Sequence, residues 1–116
     1  MSDLVVTHPE LTDARFLVVS VHGALDQRSG PELVAATLGA VTPGTRVVVL
    51  DLSDVEFCSS AGMNALVQLD RAATAMGAAC ALAALPVRLA RRLELTGLNQ
   101  VLRCYPDVAA ATADPS

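Results

Sequence analysis

The run Arg46 to Leu52 (RVVVLDL) limits the folds open to this chain more than any other feature. A near-continuous β-branched strand has no polar face to offer water, so it belongs in the middle of a sheet covered on both sides. Strands of that kind are joined by crossovers, and the flanking sequence supplies them. Phe16 to Val21 (FLVVSV) reads as a strand, with Leu4 to Thr7 as a shorter edge strand paired to it. Pro31 to Leu38 reads as a helix, capped by Ser29 or Gly30, presenting Leu33, Val34 and Leu38 on one side and stopped by Pro43-Gly44.

Beyond the central run, Ser53-Asp54 reads as a polar turn. Met63, Leu66, Val67, Leu69, Ala73 and Met76 then recur at three- and four-residue spacing, which predicts a helix from near Ser60 to about Gly77. Ala79 to Leu85 is a second buried strand. Pro86 to Leu95 is a helix with Arg88, Arg91 and Arg92 outside and Val87, Leu89, Ala90 and Leu93 available to the core; Gly97 ends it. Val101 to Tyr105 is a last short strand and Asp107 to Thr112 a helical turn, leaving Ala113 to Ser116 as a frayed tail. Strand alternates with helix throughout. The expected fold is therefore α/β: a single domain over residues 1–116, core about 4–112, with a mixed, mostly parallel sheet of about five strands and helices packed on it.

Composition removes several functions. Hydrophobic residues make up 53% but aromatics only 3%, so the core is built from Ala, Val and Leu, and stacking on nucleic-acid bases has little to work with. A net charge of −4 opposes binding to a phosphate backbone, so no nucleic-acid partner is expected. All 8 basic residues are arginine, which excludes lysine chemistry. Cys58, Cys80 and Cys104 have no metal-ligand or disulfide spacing, and Cys80 and Cys104 lie in apolar runs as small buried hydrophobes. His8 and His22 are too few for a metal cluster, so no metal or cofactor is expected. No stretch reaches the ~20 apolar residues of a membrane span, and Met1 to Thr7 lacks a basic leader, so the chain reads as cytoplasmic.

Chemistry concentrates between the central strand and the helix near Ser60. Ser59, Ser60, Ala61 and Gly62 are all small, leaving the first-turn N–H groups reachable and the dipole favourable to an anion. Ser59 or Ser60 also suits a plain helix cap. An esterase elbow does not fit, because Cys58-Ser59-Ser60-Ala61-Gly62 lacks the first glycine and no histidine follows it. Cys58 as a nucleophile has no visible basic partner.

Four segments, in order, resemble one family. Val21-His22-Gly23-Ala24-Leu25-Asp26 is similar to the x-x-G-E-L-D segment of anti-sigma factor antagonists, the STAS domains, and Val48 to Phe57 (VVLDLSDVEF) to their central strand and loop. Ser59-Ser60-Ala61-Gly62-Met63 falls on their switch motif, D-S-[ST]-G-[LM], and Leu95-Thr96-Gly97-Leu98 resembles the LTGL after their third helix. The resemblance implies a STAS-like fold and no enzyme activity. It implies binding to an anti-sigma factor of the serine-kinase type, which releases a sigma factor, with a serine phosphatase resetting the switch. It makes Ser60 the expected phosphorylation site, with Ser59 second. Asp26, Ser59, Ser60, Ala61, Gly62, Met63 and Asn64 become the expected partner-binding residues. The chain departs from the motif at Ser59, where the family has Asp, and at Ala61, where it has a second hydroxyl. A scaffold or accessory subunit of a signalling or lipid-transport complex that is never phosphorylated is the alternative implied by those departures.

Overall fold

The computed structural model describes residues 15–113 together with the two-residue strand Val5–Val6. The elements run β1 (Val5–Val6), β2 (Phe16–Leu25), α1 (Ser29–Ala40), β3 (Val47–Cys58), α2 (Ser60–Ala75), β4 (Ala79–Ala83), α3 (Val87–Thr96), β5 (Arg103–Tyr105) and α4 (Val108–Ala113), with a 3₁₀ turn at Leu98–Gln100 before β5. The sheet order is β1-β2-β3-β4-β5. Strands β2 to β5 are parallel, and β1 adds antiparallel to β2 through Val5 opposite His22 and Val6 opposite Val21. The expected mixed, mostly parallel α/β sheet is what forms. Leu4 and Thr7 of the expected edge strand, and residues 114–116 of the expected tail, lie outside the described residues.

Strand order follows chain order, so crossovers of one hand deliver successive helices to the same face. Leu33 of α1, Leu66 and Leu69 of α2, and Leu89 and Leu93 of α3 share one core with Leu17, Val19 and Val21 of β2 and Val48, Leu50 and Leu52 of β3. The alternate residues Val47 and Val49 of β3, with Ala81 and Ala83 of β4, face the other way and meet Ala111 of α4. That is why Arg46 to Leu52 has no polar face. Small side chains matter here: Ala81 and Ala83 let a short Ala-rich helix close the second side, with Phe16 and Tyr105 packed against the cluster.

Small residues also set the spacing of α1 and α2. A Cβ on Gly30 would lie 2.9 Å from the Cβ of Ala65, so glycine opposite alanine lets the helices touch. Thr37 is fully buried in α1 and its Oγ1 has no hydrogen-bond partner among the described residues, so the helix carries an uncompensated desolvation cost.

Three expectations about the sheet and its surface residues need correction at this level. Ser53-Asp54 is not a turn: β3 continues to Cys58, pairing Asp54 with His22 and Cys58 with Leu25 through two register shifts. This extension has a partner on one side only, since β4 ends at Ala83, so its exposed polar residues follow from an open edge. Cys104 is exposed, because β5 is the outer strand and short. Val87 is 81% exposed, because it lies about 200° round α3 from buried Leu89 and so faces away from the core.

Replacing Thr37 with valine keeps the shape and removes the orphan hydroxyl. Thr37→Val is expected to raise unfolding stability by about 1 kcal/mol, read from the midpoint of a urea titration at unchanged slope.

Candidate functional site

The carboxyl ends of β2 and β3 meet at a single carbonyl, that of Leu25. The Ser59 N–H donates to it at 2.9 Å. Gly62 lies so close that a Cβ there would overlap the Leu25 oxygen and sit 2.8 Å from its carbon and 3.0 Å from Cys58 Sγ. Only glycine fits. The start of α2 is therefore seated directly on the end of β2.

Ser59 is the N-cap of α2: its extended backbone (φ −80°, ψ 176°) turns the chain, and its Oγ accepts from the Gly62 N–H at 3.1 Å. Ser60, the first helical residue, is exposed, and its hydroxyl has no hydrogen-bond partner among the described residues. The two adjacent serines thus divide their roles. Ala61 and Asn64 are exposed beside Ser60, whereas Gly62 and Met63 are buried, Met63 in the main core.

Asp26 has a local function. Its Oδ1 accepts from the N–H groups of Arg28 (2.9 Å) and Ser29 (3.1 Å), while its carbonyl accepts from Gly30. Ser29 Oγ returns the arrangement, accepting from the Asp26 N–H at 2.9 Å and donating to the Ala24 carbonyl at 2.7 Å. These reciprocal bonds across Asp26-Gln27-Arg28-Ser29 have the pattern of a capping box, and Ser29 is the first residue of α1 rather than its cap. The Ser29 N–H first, then that of Arg28, hold the Asp26 carboxyl below the usual carboxylate range. The Asp-x-x-Ser spacing was a readable signal for it. Asp26 remains partly exposed, at the same strand ends as Ser59.

Arg92 was expected outside. Instead it is half-buried and its Nη1 donates to the Cys58 carbonyl, fastening α3 to the last residue of β3, next to Ser59. No local sequence pattern marks it, since the contact joins residues 34 apart. His22 Nδ1 lies 3.1 Å from Asp54 Oδ2 and ties the two strands where their register shifts.

Burial pushes the Cys58 thiol up to about 11, only partly offset by the Arg92 charge, and the Cys80 thiol up to about 12. A thiol held protonated at neutral pH is a poor nucleophile. Among the described residues no three His, Cys, Asp or Glu converge as a metal site, and no helix is long and apolar enough to cross a membrane.

A small α/β module with a presented serine at a helix start is the class that fold and site define. The STAS domain model matches residues 6–111, and the chain belongs to that family. An anti-sigma factor antagonist from Mycobacterium paratuberculosis is 28% identical and superposes with a TM-score of 0.76, over 97% of this chain and 93% of that one. A sulfate transporter family protein from Wolinella succinogenes shares the fold at 18% identity, TM-score 0.77, over 90% and 87% of the two chains. The anti-sigma factor antagonist SpoIIAA in its unphosphorylated form shares it at 14% identity, TM-score 0.66, over 95% and 93%. No protein of curated function matches the chain by sequence.

Two expectations test this geometry. Gly62→Ala should destabilise the fold by about 2 kcal/mol in a denaturant titration, because the clash is with backbone. In thiol labelling of the folded protein at mildly alkaline pH, exposed Cys104 should react alone; Cys58 and Cys80 should follow only on unfolding.

Proposed function

We propose that this STAS domain is an anti-sigma factor antagonist: it binds an anti-sigma factor of the serine-kinase type through the surface around Ser60, and phosphorylation of Ser60 ends that binding. The observation that carries the reading is the division between the two serines. Ser59 is committed to capping α2, while Ser60 offers an exposed, unbonded hydroxyl one residue later. The 28% identical relative described as an anti-sigma factor antagonist supports it.

On this reading Ser60, Ala61 and Asn64 form the contact, beside Ser59 and Asp26, and buried Gly62 and Met63 fix the height of the helix. Ser60 is the acceptor and Ser59 the second choice, because modifying Ser59 would remove the cap. A phosphate at the first helical position suits its own helix, whose free N–H groups and dipole favour an anion. It does not suit a docked partner. It adds about −1.5 to −2 charges and a tightly held water shell to a surface that must be desolvated. A phosphatase acting on Ser60 restores binding. The protein then works in the cytoplasm as a binding module rather than an enzyme.

Ser59 in place of the family Asp, and Ala61 in place of a hydroxyl, favour one second reading. The domain then serves unphosphorylated, as a scaffold or accessory subunit of a signalling or transport complex.

Titration of the candidate anti-sigma kinases with variants separates the two. Ser60→Ala should bind like the unaltered chain, and Ser60→Asp should lose about 3–4 kcal/mol, a few hundred-fold in Kd. Equal affinities for the two variants would remove the switch and leave the scaffold reading.

A further inference from the structure

Beyond Asp51, β3 runs on without β4. Its ladder with β2 continues to Cys58, whereas its ladder with β4 ends where Asp51 meets Ala83. The chain leaves β4 through Ala84, whose φ of 56° is left-handed, and α3 begins at Val87. Between the vacated edge and α3 lies a half-open groove of about 170 Å³, lined by Val55 to Cys58 on one side and by Pro86, Leu89 and Arg92 on the other. We propose that the partner contact at Ser60 extends into this groove, where the anti-sigma factor seats an apolar side chain against Phe57. The inference rests on the antagonist reading and names a further binding residue for it.

Continuity of the surface is the first reason. Cys58 lines the groove and directly precedes Ser59, the cap of α2. Arg92 also lines it and donates to the Cys58 carbonyl, so the α3 wall and the Ser59–Ser60 turn are fastened at one residue. On the other side of that residue the Ser59 N–H is held by Leu25. A partner covering Ser60 therefore abuts the groove.

Phe57 is the second. It is one of only two Phe in a chain whose core is Ala, Val and Leu, yet it is left 56% exposed. Register decides its direction: Cys58 opposite Leu25 turns inward, and Phe57 opposite Ala24 turns out. Covering such a ring removes apolar area from water, and aromatic anchors of this kind dominate protein interfaces.

The charges decide the kind of occupant. Glu56 and Arg88 line the groove with opposite signs and offset one another, so what remains to be recognised is apolar surface. A second copy of this chain is opposed, because the open edge from Ser53 to Cys58 carries Asp54 and Glu56 and no basic residue. Size opposes a small molecule. Such sites run to about 300–1,000 Å³ and enclose their ligand, whereas this groove is smaller and open and suits one anchoring side chain.

The test titrates full-length variants against the candidate anti-sigma kinases at low and high salt. Phe57→Ala should weaken binding about ten-fold, Phe57→Leu should recover most of that loss, and Arg88→Ala should change little. The Phe57→Ala loss should persist at high salt, as an apolar contact requires. Leu95→Ala removes an exposed apolar side chain outside the groove and should bind like the unaltered chain. In the isotope-labelled unaltered chain, amide shifts on adding the kinase should include Phe57 and Leu89 as well as Ser60. If Phe57→Ala binds like the unaltered chain while Ser60→Asp loses binding, the groove contact is overturned and the antagonist reading stands. A loss in Phe57→Ala with equal affinities for Ser60→Ala and Ser60→Asp would keep the groove as a binding surface and remove the switch. Binding to none of the kinases would overturn both.

Discussion

The rest of the site depends on one close approach, the seating of Gly62 on the Leu25 carbonyl. The end of β2 must accept the Ser59 N–H and leave no room for a Cβ at Gly62. Because Leu25 is itself fully buried, this contact cannot slide without opening the core beneath it. One residue further, Asp26 closes the capping box that starts α1. The same strand end thus launches one helix and seats another. The Ser60 hydroxyl is presented at a fixed height as a by-product of backbone packing, not of any contact that Ser60 makes.

Around that point the fold is economical with bulk. Glycine meets alanine where α1 crosses α2, and alanines of β4 admit α4 on the second face. Such packing tolerates few changes, since a single added methyl group meets backbone or another side chain at once. It also makes the outward Phe57 conspicuous, a large side chain left 56% exposed near the end of β3.

Much of the architecture was legible because it rests on local rules. The apolar run ending at Leu52 demands cover on both faces, and the three- and four-residue spacing after Ser60 allows only a helix. What failed was judged by polarity. Ser53-Asp54 looks like a turn, yet pairing with β2 holds it extended, and a strand with one neighbour can be polar along its open side. Arg92 looks like a surface residue, yet it is half-buried and its head reaches the Cys58 carbonyl. Cys104 sits in an apolar run but on an edge, and sequence does not say which strand will be outermost.

By itself, the sequence determined the α/β alternation, the buried central strand and the cluster of small residues at the start of the second helix. Each is a property of near neighbours, governed by side-chain period and backbone preference. The tertiary structure alone decided which serine caps and which is offered, why residue 62 must be glycine, and that Arg92 turns inward while Phe57 turns out. Those outcomes depend on contacts between residues far apart in the chain, such as Leu25 with Gly62 and Cys58 with Arg92. Distance in the chain carries no record of them until the sheet has brought the strand ends together.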